Sequence, residues 1–396
     1  MQFEFTPEQQ ALREELREYF RQLITPEIRQ AVRGNEGEGE GGEVFRKVVR
    51  QMGVDGKLAL GWPKQYGGQG LGAVEQLIFF EELRLADAPI PFVTLNTVGP
   101  ALMEHGSEEH KAKYLPKIAA GEIHFAIGYS EPGAGTDLAS LSTSAERDGD
   151  DYVINGTKVF TSGAGGADYI WLAVRTDPQA PKHKGISIFI VPTNSPGFSH
   201  SPIHTVGEVT TNMTYYENVR VPASALVGEL NKGWQLITSQ LNHERVGLAA
   251  FNVYGLGLYD RVHAWASKAP GLSDTNMLID EPWVQTALAE SYGRLEAMRL
   301  INLRMAWDLE QNRMSPALAS GAKVYSTECL IEVYRKLMDI VGSSALLPHD
   351  VIGTELLGDL EEEYRKCQIT TFGGGVNEVQ RDLVAAFGLG MPMAAR

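Results

Sequence analysis

Cysteine is scarce in this sequence: Cys329 and Cys367 are the only two among 396 residues. Two cysteines embedded in helix-like sequence exclude both a disulfide framework and a CxxC metal site. No run of about eighteen apolar residues occurs, as a membrane-spanning helix would need. The N-terminal segment is acidic and amphipathic, whereas a signal peptide has a basic segment followed by an apolar one. We therefore expect a cytoplasmic protein with no metal site, no export signal and no membrane span.

Basic residues are also in short supply. The chain has 35 Lys and Arg against 50 Asp and Glu, a net charge of −15 at pH 7, which argues against binding to nucleic acid or to anionic membranes. Neither GAGTD at 133–137 nor SGAGGAD at 162–168 has the GxGxxG spacing between a strand and a helix, and no Walker A loop occurs. A nicotinamide-binding fold and a P-loop are therefore not expected.

The periodicity of apolar residues divides the chain into three parts. Residues 1–123 repeat apolar side chains at helical spacing, beginning after Thr6 and Pro7, an N-cap and a first-turn proline. Residues 233–396 contain four long amphipathic runs, which predict a four-helix bundle. The middle part, residues 124–232, changes period. We expect an α+β multidomain fold with an N-terminal all-α domain, a central antiparallel β-barrel-like domain and a C-terminal bundle.

Short runs of β-branched and aromatic residues mark the strands of the middle part. They cover 125–130, 152–155, 158–162, 169–175, 186–191 and 214–221. The Asn155-Gly156 pair between two of these runs is typical of a two-residue hairpin turn. No helix-length segment interrupts the runs, so we expect their pairing to be antiparallel.

Two loops of the middle part are rich in Gly, Ser and Thr. Ser130, Thr136 and Ser162 offer hydroxyl groups, Gly135 leaves backbone N–H groups accessible, and Phe160 offers a flat apolar surface. Such a set suits a phosphorylated aromatic cofactor, but a Gly-rich loop in a β-domain is more often a tight turn. The residues alone leave both interpretations open.

Four motifs in order carry a resemblance to a known family. They are SEPGAGTD at 130–137, NGTKVFTSG at 155–163, YYENVRVP at 215–222 and NEVQR at 377–381. Together they resemble the acyl-CoA dehydrogenase family over nearly the whole chain. The resemblance implies FAD as the cofactor and the same order of helical, β and bundle domains that the periodicity predicts.

The resemblance assigns FAD contacts to three segments. Tyr129 and Ser130 would reach the flavin ring and Thr136 the pyrophosphate, while Phe160 occupies a position that is Trp in most relatives and keeps its stacking surface. The implied cofactor-binding residues are Tyr129, Ser130, Gly135, Thr136, Phe160, Thr161, Ser162, Gly374, Gly375 and Asn377. Thr136 and Gly374 are also implied to contact the substrate.

The family's reaction requires a carboxylate base. Many relatives carry a glutamate just before the terminal motif, where this chain has Gly374. The isovaleryl and long-chain types carry it on a bundle helix directly before an arginine, and LNHERVGLAAF matches that pattern with Glu244 and Arg245. Burial among the apolar neighbours would raise the pKa of Glu244 toward neutral pH. We predict that Glu244 is the base; the alternative is that it is an ordinary solvated carboxylate on the surface. Arg245 either contacts the substrate or forms a structural ion pair.

Two expected FAD contacts are missing. Typical homotetrameric relatives insert an RxxF-like motif and a Gln-x-x-Gly-Gly segment into a neighbour's FAD site, but this chain has APGLSDTNMLID at 269–280 and DIVGSS at 339–344. Asp339 would place negative charge near a pyrophosphate. The resemblance is closest to the actinobacterial steroid side-chain members, which implies an α2β2 heterotetramer whose second, homologous subunit supplies the missing arginine. A homo-oligomer that uses other residues is the alternative.

The implied reaction is α,β-dehydrogenation of an acyl-CoA to a trans-2-enoyl-CoA, with electrons passed to an electron-transfer flavoprotein. Glycines at 373–375 would leave space for a wide acyl group such as a steroid side chain, although they equally suit a turn. The rival functions are a flavin oxidase or monooxygenase on the same fold and a structural subunit whose partner does the chemistry.

Overall fold

The computed structural model describes residues 4–32, 42–239, 253–273, 275–311, 313–347 and 355–392. Helices form the first part, a sheet the middle part and helices the last part, which confirms the expected fold class. No helix in these ranges is long and apolar enough to cross a bilayer. The same ranges contain no group of three His, Cys, Asp or Glu side chains placed to hold a metal ion.

The N-terminal part packs its helices around the buried stripe of the first one. Gln9 N–H donates to Thr6 Oγ1 (3.2 Å) and Thr6 N–H donates to Gln9 Oε1 (3.1 Å), so the helix begins at a capping box. The apolar stripe behind it buries Leu16 and Phe20 completely. The helices are α1 (Pro7–Leu23), α2 (Pro26–Val32), α3 (Gly42–Val54), α4 (Ala73–Leu85), α5 (Gly99–His105) and α6 (Glu108–Ala119).

The middle part forms one mixed sheet with the order β6-β7-β3-β2-β4-β5-β8, and β1 pairs with β4. The β1–β4 pair is parallel, with Phe125 opposite Tyr169, and β2 meets β4 through a parallel bridge; the remaining neighbours are antiparallel. The expectation of antiparallel pairing is therefore wrong for β1 and β4, because the chain passes through β2 and β3 between them and so makes the crossover that a parallel pair needs. The strands are β1 (Phe125–Gly128), β2 (Ser144–Asp148), β3 (Asp151–Lys158), β4 (Tyr169–Arg175), β5 (Ile186–Pro192), β6 (Phe198–His204), β7 (Thr210–Pro222) and β8 (Leu226–Val227).

Strand β4 divides its side chains between two cores. Trp171 and Ala173 pack into the core that the sheet shares with the N-terminal helices, whereas Ile170, Leu172 and Val174 pack into a second core on the other face. Alternate residues of a strand point to opposite faces. Both faces of the sheet are therefore covered at its centre, which explains why this strand has a continuous apolar sequence.

The hairpin predicted at Asn155-Gly156 is wrong. Both residues lie inside β3, and the pairing with β7 shifts register between Ile154 and Gly156, as at a β-bulge. Gly156 has φ +150° and a Cβ there would lie 2.5 Å from Thr143 Oγ1, so glycine is needed for close packing inside the sheet. The tight turn lies instead at Gly149 (φ +64°), between β2 and β3.

The sequence patterns also missed three strands, β2, β6 and the two-residue β8, and the strand predicted at 158–162 is wrong because β3 ends at Lys158 and a loop follows. The sequence of β2, SAERD, is mostly charged, and that of β6, FSHSPIH, is mostly solvent-exposed at the edge of the sheet. Neither shows the apolar alternation of a half-buried strand. Backbone pairing with β3 and β7 holds them in place.

The C-terminal part is a helical bundle around a second apolar cluster that includes Leu295, Val333 and Leu337. Its helices are α7 (Val253–Ala266), α8 (Pro282–Glu310), α9 (Pro316–Val341), α10 (Glu355–Cys367) and α11 (Asn377–Leu389). Helix α11 packs along α9 in addition to the four predicted runs. An ion pair of 2.8 Å between Arg84 of α4 and Glu363 of α10 joins the bundle to the N-terminal helices.

A histidine is sealed into the junction between the N-terminal helices and the sheet. His124, immediately before β1, is fully buried, and neither ring nitrogen has a hydrogen-bond partner. The ring packs edge-on against Phe45 of α3 at 5.6 Å. Burial, and then the nearby Arg46 charge, lowers the pKa of His124 from 6.5 to about 4. The folded protein therefore requires the neutral ring.

We predict that this histidine makes the fold acid-sensitive. Because the folded pKa lies below the unfolded value, its contribution to stability is complete above pH 6.5 and is lost as the pH falls toward 4. Between pH 7 and pH 5 the wild type should lose about 2 kcal/mol more unfolding free energy than His124→Leu. Thermal unfolding at the two pH values tests this, with His204→Leu at an exposed site as the control. Equal pH responses of wild type and His124→Leu would contradict the assignment.

Candidate functional site

The first candidate loop, residues 129–137, follows β1 and turns back tightly. Glu131 N–H donates to the Ala134 carbonyl (3.0 Å) and Ala134 N–H donates to the Glu131 carbonyl (3.1 Å). The space in front of the turn is open: a Cβ at Gly133 or Gly135 would meet no atom within 4 Å. Thr136 beside them is exposed. This loop can therefore present N–H and hydroxyl groups to a ligand without rearrangement.

The second candidate loop presents an aromatic ring to solvent. Phe160 is 66% exposed and has φ +60°, a left-handed conformation that a bulky residue rarely adopts. Bonds on either side hold it: Val159 N–H donates to the Ser130 carbonyl and Thr161 N–H to the Asn212 carbonyl, both at 2.9 Å. Strain of about 1–3 kcal/mol that the surroundings enforce is characteristic of functional sites. The backbone therefore fixes the Phe160 ring in an exposed position, where a ligand could contact it.

The residues next to Phe160 are anchored to strand β7. Thr161 is fully buried, with its hydroxyl 3.3 Å from Thr214 Oγ1, and the Ser162 hydroxyl lies 3.0 Å from Thr211 Oγ1. The turn between β6 and β7 is itself held by hydrogen bonds from Arg365 of α10. These hydroxyl pairs anchor the second loop to β7, and they leave the Ser162 hydroxyl with capacity for further hydrogen bonds.

Arg365 connects the sheet to the bundle. It donates to the Val206 carbonyl (2.5 Å) and to Glu208 Oε1 (3.1 Å) in the β6–β7 turn, and it pairs with Glu361 on its own helix. Helix α10 runs into the Gly-rich segment of the C-terminal part a few residues later. Arg365 thus connects the β6–β7 hairpin, to which the second loop is anchored, with α10, the helix that leads into the third predicted segment.

The third predicted segment, residues 371–377, is fixed by a lysine. Lys323 of α9 donates to the Thr371 carbonyl (3.1 Å), the Gly375 carbonyl (2.8 Å) and Asn377 Oδ1 (2.7 Å). Gly374 and Gly375 both have positive φ, of +67° and +89°. A Cβ at Gly375 would lie 2.6 Å from Gln380 Nε2. Both glycines are therefore required by the backbone.

The side chain of Asn377 is fully engaged inside the protein. Its Oδ1 accepts from Lys323, and its Nδ2 donates to Thr327 Oγ1 (3.0 Å) and Glu328 Oε1 (3.1 Å). It is 3% exposed. Any contact of Asn377 with a cofactor would have to use its backbone, and its predicted cofactor role stays a prediction.

The predicted base and its neighbour, Glu244 and Arg245, lie outside the described residues. The described chain approaches them through the helical residues 233–239. At the start of that stretch the Trp234 ring meets His183 of the β4–β5 loop, with ring centroids 4.8 Å apart. The bond from Val159 N–H to the Ser130 carbonyl brings the two loops of the sheet together, whereas the positions of Glu244 and Arg245 stay predictions.

Three family models match the chain. Residues 6–122 match the acyl-CoA dehydrogenase N-terminal domain, residues 126–219 the middle domain and residues 231–389 the C-terminal domain. The chain belongs to the acyl-CoA dehydrogenase family. The chain is thus an oxidoreductase of a flavoprotein family.

Individual relatives extend over the full chain. The acyl-CoA dehydrogenase FadE26 of Mycobacterium tuberculosis is 50% identical, with 100% of both chains covered. The solved structure described as Tcur3481-Tcur3483 steroid ACAD is 52% identical with a TM-score of 0.94. The ChsE4-ChsE5 complex from Mycobacterium tuberculosis is 51% identical with a TM-score of 0.93, and each of these two structures also covers 100% of both chains.

Sequence reasoning missed Lys323, the residue that holds the third predicted segment of this acyl-CoA dehydrogenase in place. Burial lowers its pKa to about 8, against the opposing charges of Glu378 and Glu328. The feature of the sequence that could have pointed to Lys323 is its place in ASGAKVYS, where a single lysine stands among small and apolar residues of a bundle helix. Its partners lie 48 to 54 residues away in sequence, and no local pattern specifies them.

We predict that Lys323→Met releases the Gly-rich segment. Because three hydrogen bonds are lost together, the amides of 371–376 should exchange with solvent faster, and turnover with an acyl-CoA should fall roughly tenfold through misplacement of the segment. Lys336→Met is the matched control, since it removes a lysine of the same helix that pairs with exposed Glu290. Equal exchange and turnover in both variants would contradict the role of Lys323.

Proposed function

We propose that this chain catalyses α,β-dehydrogenation of an acyl-CoA thioester to a trans-2-enoyl-CoA, with FAD as the cofactor and Glu244 as the base. The observation that carries the proposal is the exposed Phe160 ring, held in a left-handed conformation between two hydroxyl-bearing loops whose sequences match the family's motifs. A family member with an intact flavin-side surface and a carboxylate in the bundle has the parts that the reaction needs.

The residues of the two loops fit FAD chemically. Ser130, Thr136 and Ser162 provide hydroxyls, and Phe160 provides a stacking surface for a ring. The one exposed acid of the first loop, Asp137, is neutralised: it accepts from Ser140 (2.5 Å) and pairs with Lys182 (2.8 Å). A pyrophosphate would therefore meet donors rather than an unpaired carboxylate. When bound, FAD supplies the acceptor for the hydride that leaves the β carbon.

The base has to come from a segment other than the C-terminal loop. TFGGGV at 371–376 contains no carboxylate, although many relatives carry their base there. Glu244 follows the helical residues 233–239 and stands before Arg245 and an apolar run. In the proposal the Glu244 carboxylate removes the α proton of the thioester, and Arg245 orients the substrate.

Glu244→Gln tests the base directly. The variant should bind FAD as the wild type does but lose bleaching of the flavin by substrate, because the amide cannot accept the α proton; a loss of about 10²–10⁴-fold is expected. Stopped-flow absorbance under anaerobic conditions measures it. Glu229→Gln, at an exposed site upstream of the same segment, is the control. Unchanged bleaching in Glu244→Gln would refute the assignment.

We further propose that a second, homologous subunit completes the FAD site in an α2β2 heterotetramer. Neither 269–280 nor 339–344 offers an arginine, and Asp339 is exposed at the end of α9. The relatives ChsE4-ChsE5 and Tcur3481-Tcur3483 are heteromeric complexes, which supports a second kind of subunit. Phe387, 59% exposed, and Leu389, 70% exposed, present apolar surface at the end of α11, as a subunit contact would.

The heterotetramer predicts that the chain expressed alone holds little FAD and that co-expression with a homologous acyl-CoA dehydrogenase subunit restores it. Because each FAD would need residues of both chains, two FAD per four chains are expected. Flavin absorbance combined with mass photometry gives both numbers. A stable homotetramer saturated with FAD would contradict the requirement for a partner.

The substrate and electron acceptor complete the proposal. The small residues at 373–375 and the 52% identity to a steroid ACAD support a steroid side-chain CoA thioester. Electrons would pass to an electron-transfer flavoprotein in a reducing cytosol, where the buried Cys329 and Cys367 stay free thiols. Turnover of steroid-CoA against straight-chain CoA thioesters tests the substrate. Rapid oxygen consumption by the reduced enzyme would indicate an oxidase instead.

A further inference from the structure

Two charged residues in the motifs of the two candidate loops take no part in the proposed chemistry. Glu131 belongs to SEPGAGTD and Lys158 to NGTKVFTSG. They form an ion pair of 2.8 Å in which the lysine is 0% and the glutamate 7% exposed. Charged side chains are almost never buried to this degree unless they are paired. Their position beneath both candidate loops points to a function for the pair.

Lys158 links the two loops through more than its charge. Its Nζ also donates to the Tyr129 carbonyl at 3.0 Å. The next residue, Val159, donates its N–H to the Ser130 carbonyl at 2.9 Å. Lys158, the last residue of β3, and Val159 after it therefore make bonds to the three consecutive residues 129, 130 and 131. The positions of Ser130 and Phe160 are set relative to each other by this short ladder.

Glu131 extends the connection in the opposite direction. Its Oε2 accepts from the N–H and the hydroxyl of Ser142, and its Oε1 accepts from Thr143 N–H and from Lys158, each at 2.8 Å. Burial alone would raise the pKa of Glu131, but the Lys158 charge and these hydrogen bonds lower it overall. The carboxylate therefore stays ionised and ties the start of the first loop to Ser142 and Thr143, which lie after that loop and directly before β2.

We propose that the Glu131–Lys158 ion pair is a positioning device that fixes the spacing of the two loops, and that FAD binding depends on it. This inference rests on the proposed function. A buried ion pair contributes little net stability compared with an apolar pair of similar volume. The pair sets geometry instead, because its bonds join residues 129–131, which include Ser130, to residues 142–143 and to Lys158, two positions before Phe160. Neither residue touches the substrate in this scheme.

A graded set of variants tests the pair in the assembly in which the wild type holds FAD. Ser142→Ala removes one bond to the carboxylate, Glu131→Gln removes its charge, and Lys158→Met removes the link to Tyr129. FAD dissociation constants should rise in that order, from about threefold to more than about tenfold. Hydrogen exchange without FAD should be faster at 130–143 and 158–163 in the same order.

The double variant Glu131→Gln with Lys158→Met separates positioning from mere stability. Because no unpaired charge remains buried, its thermal midpoint should recover relative to either single variant. Its FAD affinity should stay low, because the Lys158 bonds to Glu131 and to the Tyr129 carbonyl are still missing. Recovery of affinity together with stability would overturn the proposal.

Glu82→Gln is the matched control. Glu82 is also nearly buried and accepts two bonds from Arg17, at 2.8 and 2.9 Å, but it joins α1 to α4 away from the loops. It should lower the thermal midpoint without changing FAD affinity. Unchanged FAD affinity in Glu131→Gln would overturn the positioning role alone. A wild-type assembly that binds no FAD would overturn the proposed function and this inference together.

Discussion

The burial of both faces of the central sheet is the constraint on which the rest of the structure depends. Strand β4 sends alternate side chains into two different apolar cores, one shared with the N-terminal helices and one on the opposite face. A strand buried in this way has a fixed register, since a shift by one residue would exchange the two sets of side chains. The ends of the sheet therefore provide a rigid frame for loops.

The candidate site is built from the loops at the edge of this frame. The first loop follows β1, which pairs with β4, and the second follows β3. Polar and charged contacts, rather than apolar packing, set the position of these loops: the Ser130 carbonyl, the Thr161 and Ser162 hydroxyls and the Glu131–Lys158 pair are all engaged. Such directional contacts allow Phe160 to remain exposed in a strained conformation.

Much of the fold could be predicted from the sequence because its signals are local. The Thr6 cap, the apolar stripe of α1 and the limits of β4 depend on residues a few positions apart. The Asn155-Gly156 prediction was wrong because a glycine that gives a turn in isolation here serves close packing against Thr143. The edge strand β6 is polar, so its pairing partner specifies it and its own pattern does not.

The candidate site, like the fold, could be predicted only where its signals are local. Motifs identified the loops that carry Ser130 and Phe160, because the residues stand close together in the sequence. The residues that hold those loops were not identified: Glu131 and Lys158 are 27 positions apart, and Lys323 binds the Gly375 carbonyl across 52 positions. Pairings over such distances follow from the tertiary structure. The assignment of Glu244 rests on its sequence context.

The most direct test of the central claim, that this chain oxidises the bond between the α and β carbons of a thioester, is a single-turnover isotope experiment. Anaerobic flavin bleaching by the assembled enzyme is followed with a CoA thioester deuterated at the α carbon or at the β carbon. Each substitution should slow bleaching severalfold, since a proton leaves one carbon and a hydride the other. Bleaching that is insensitive to deuterium at both positions, or absent with every thioester, would contradict it.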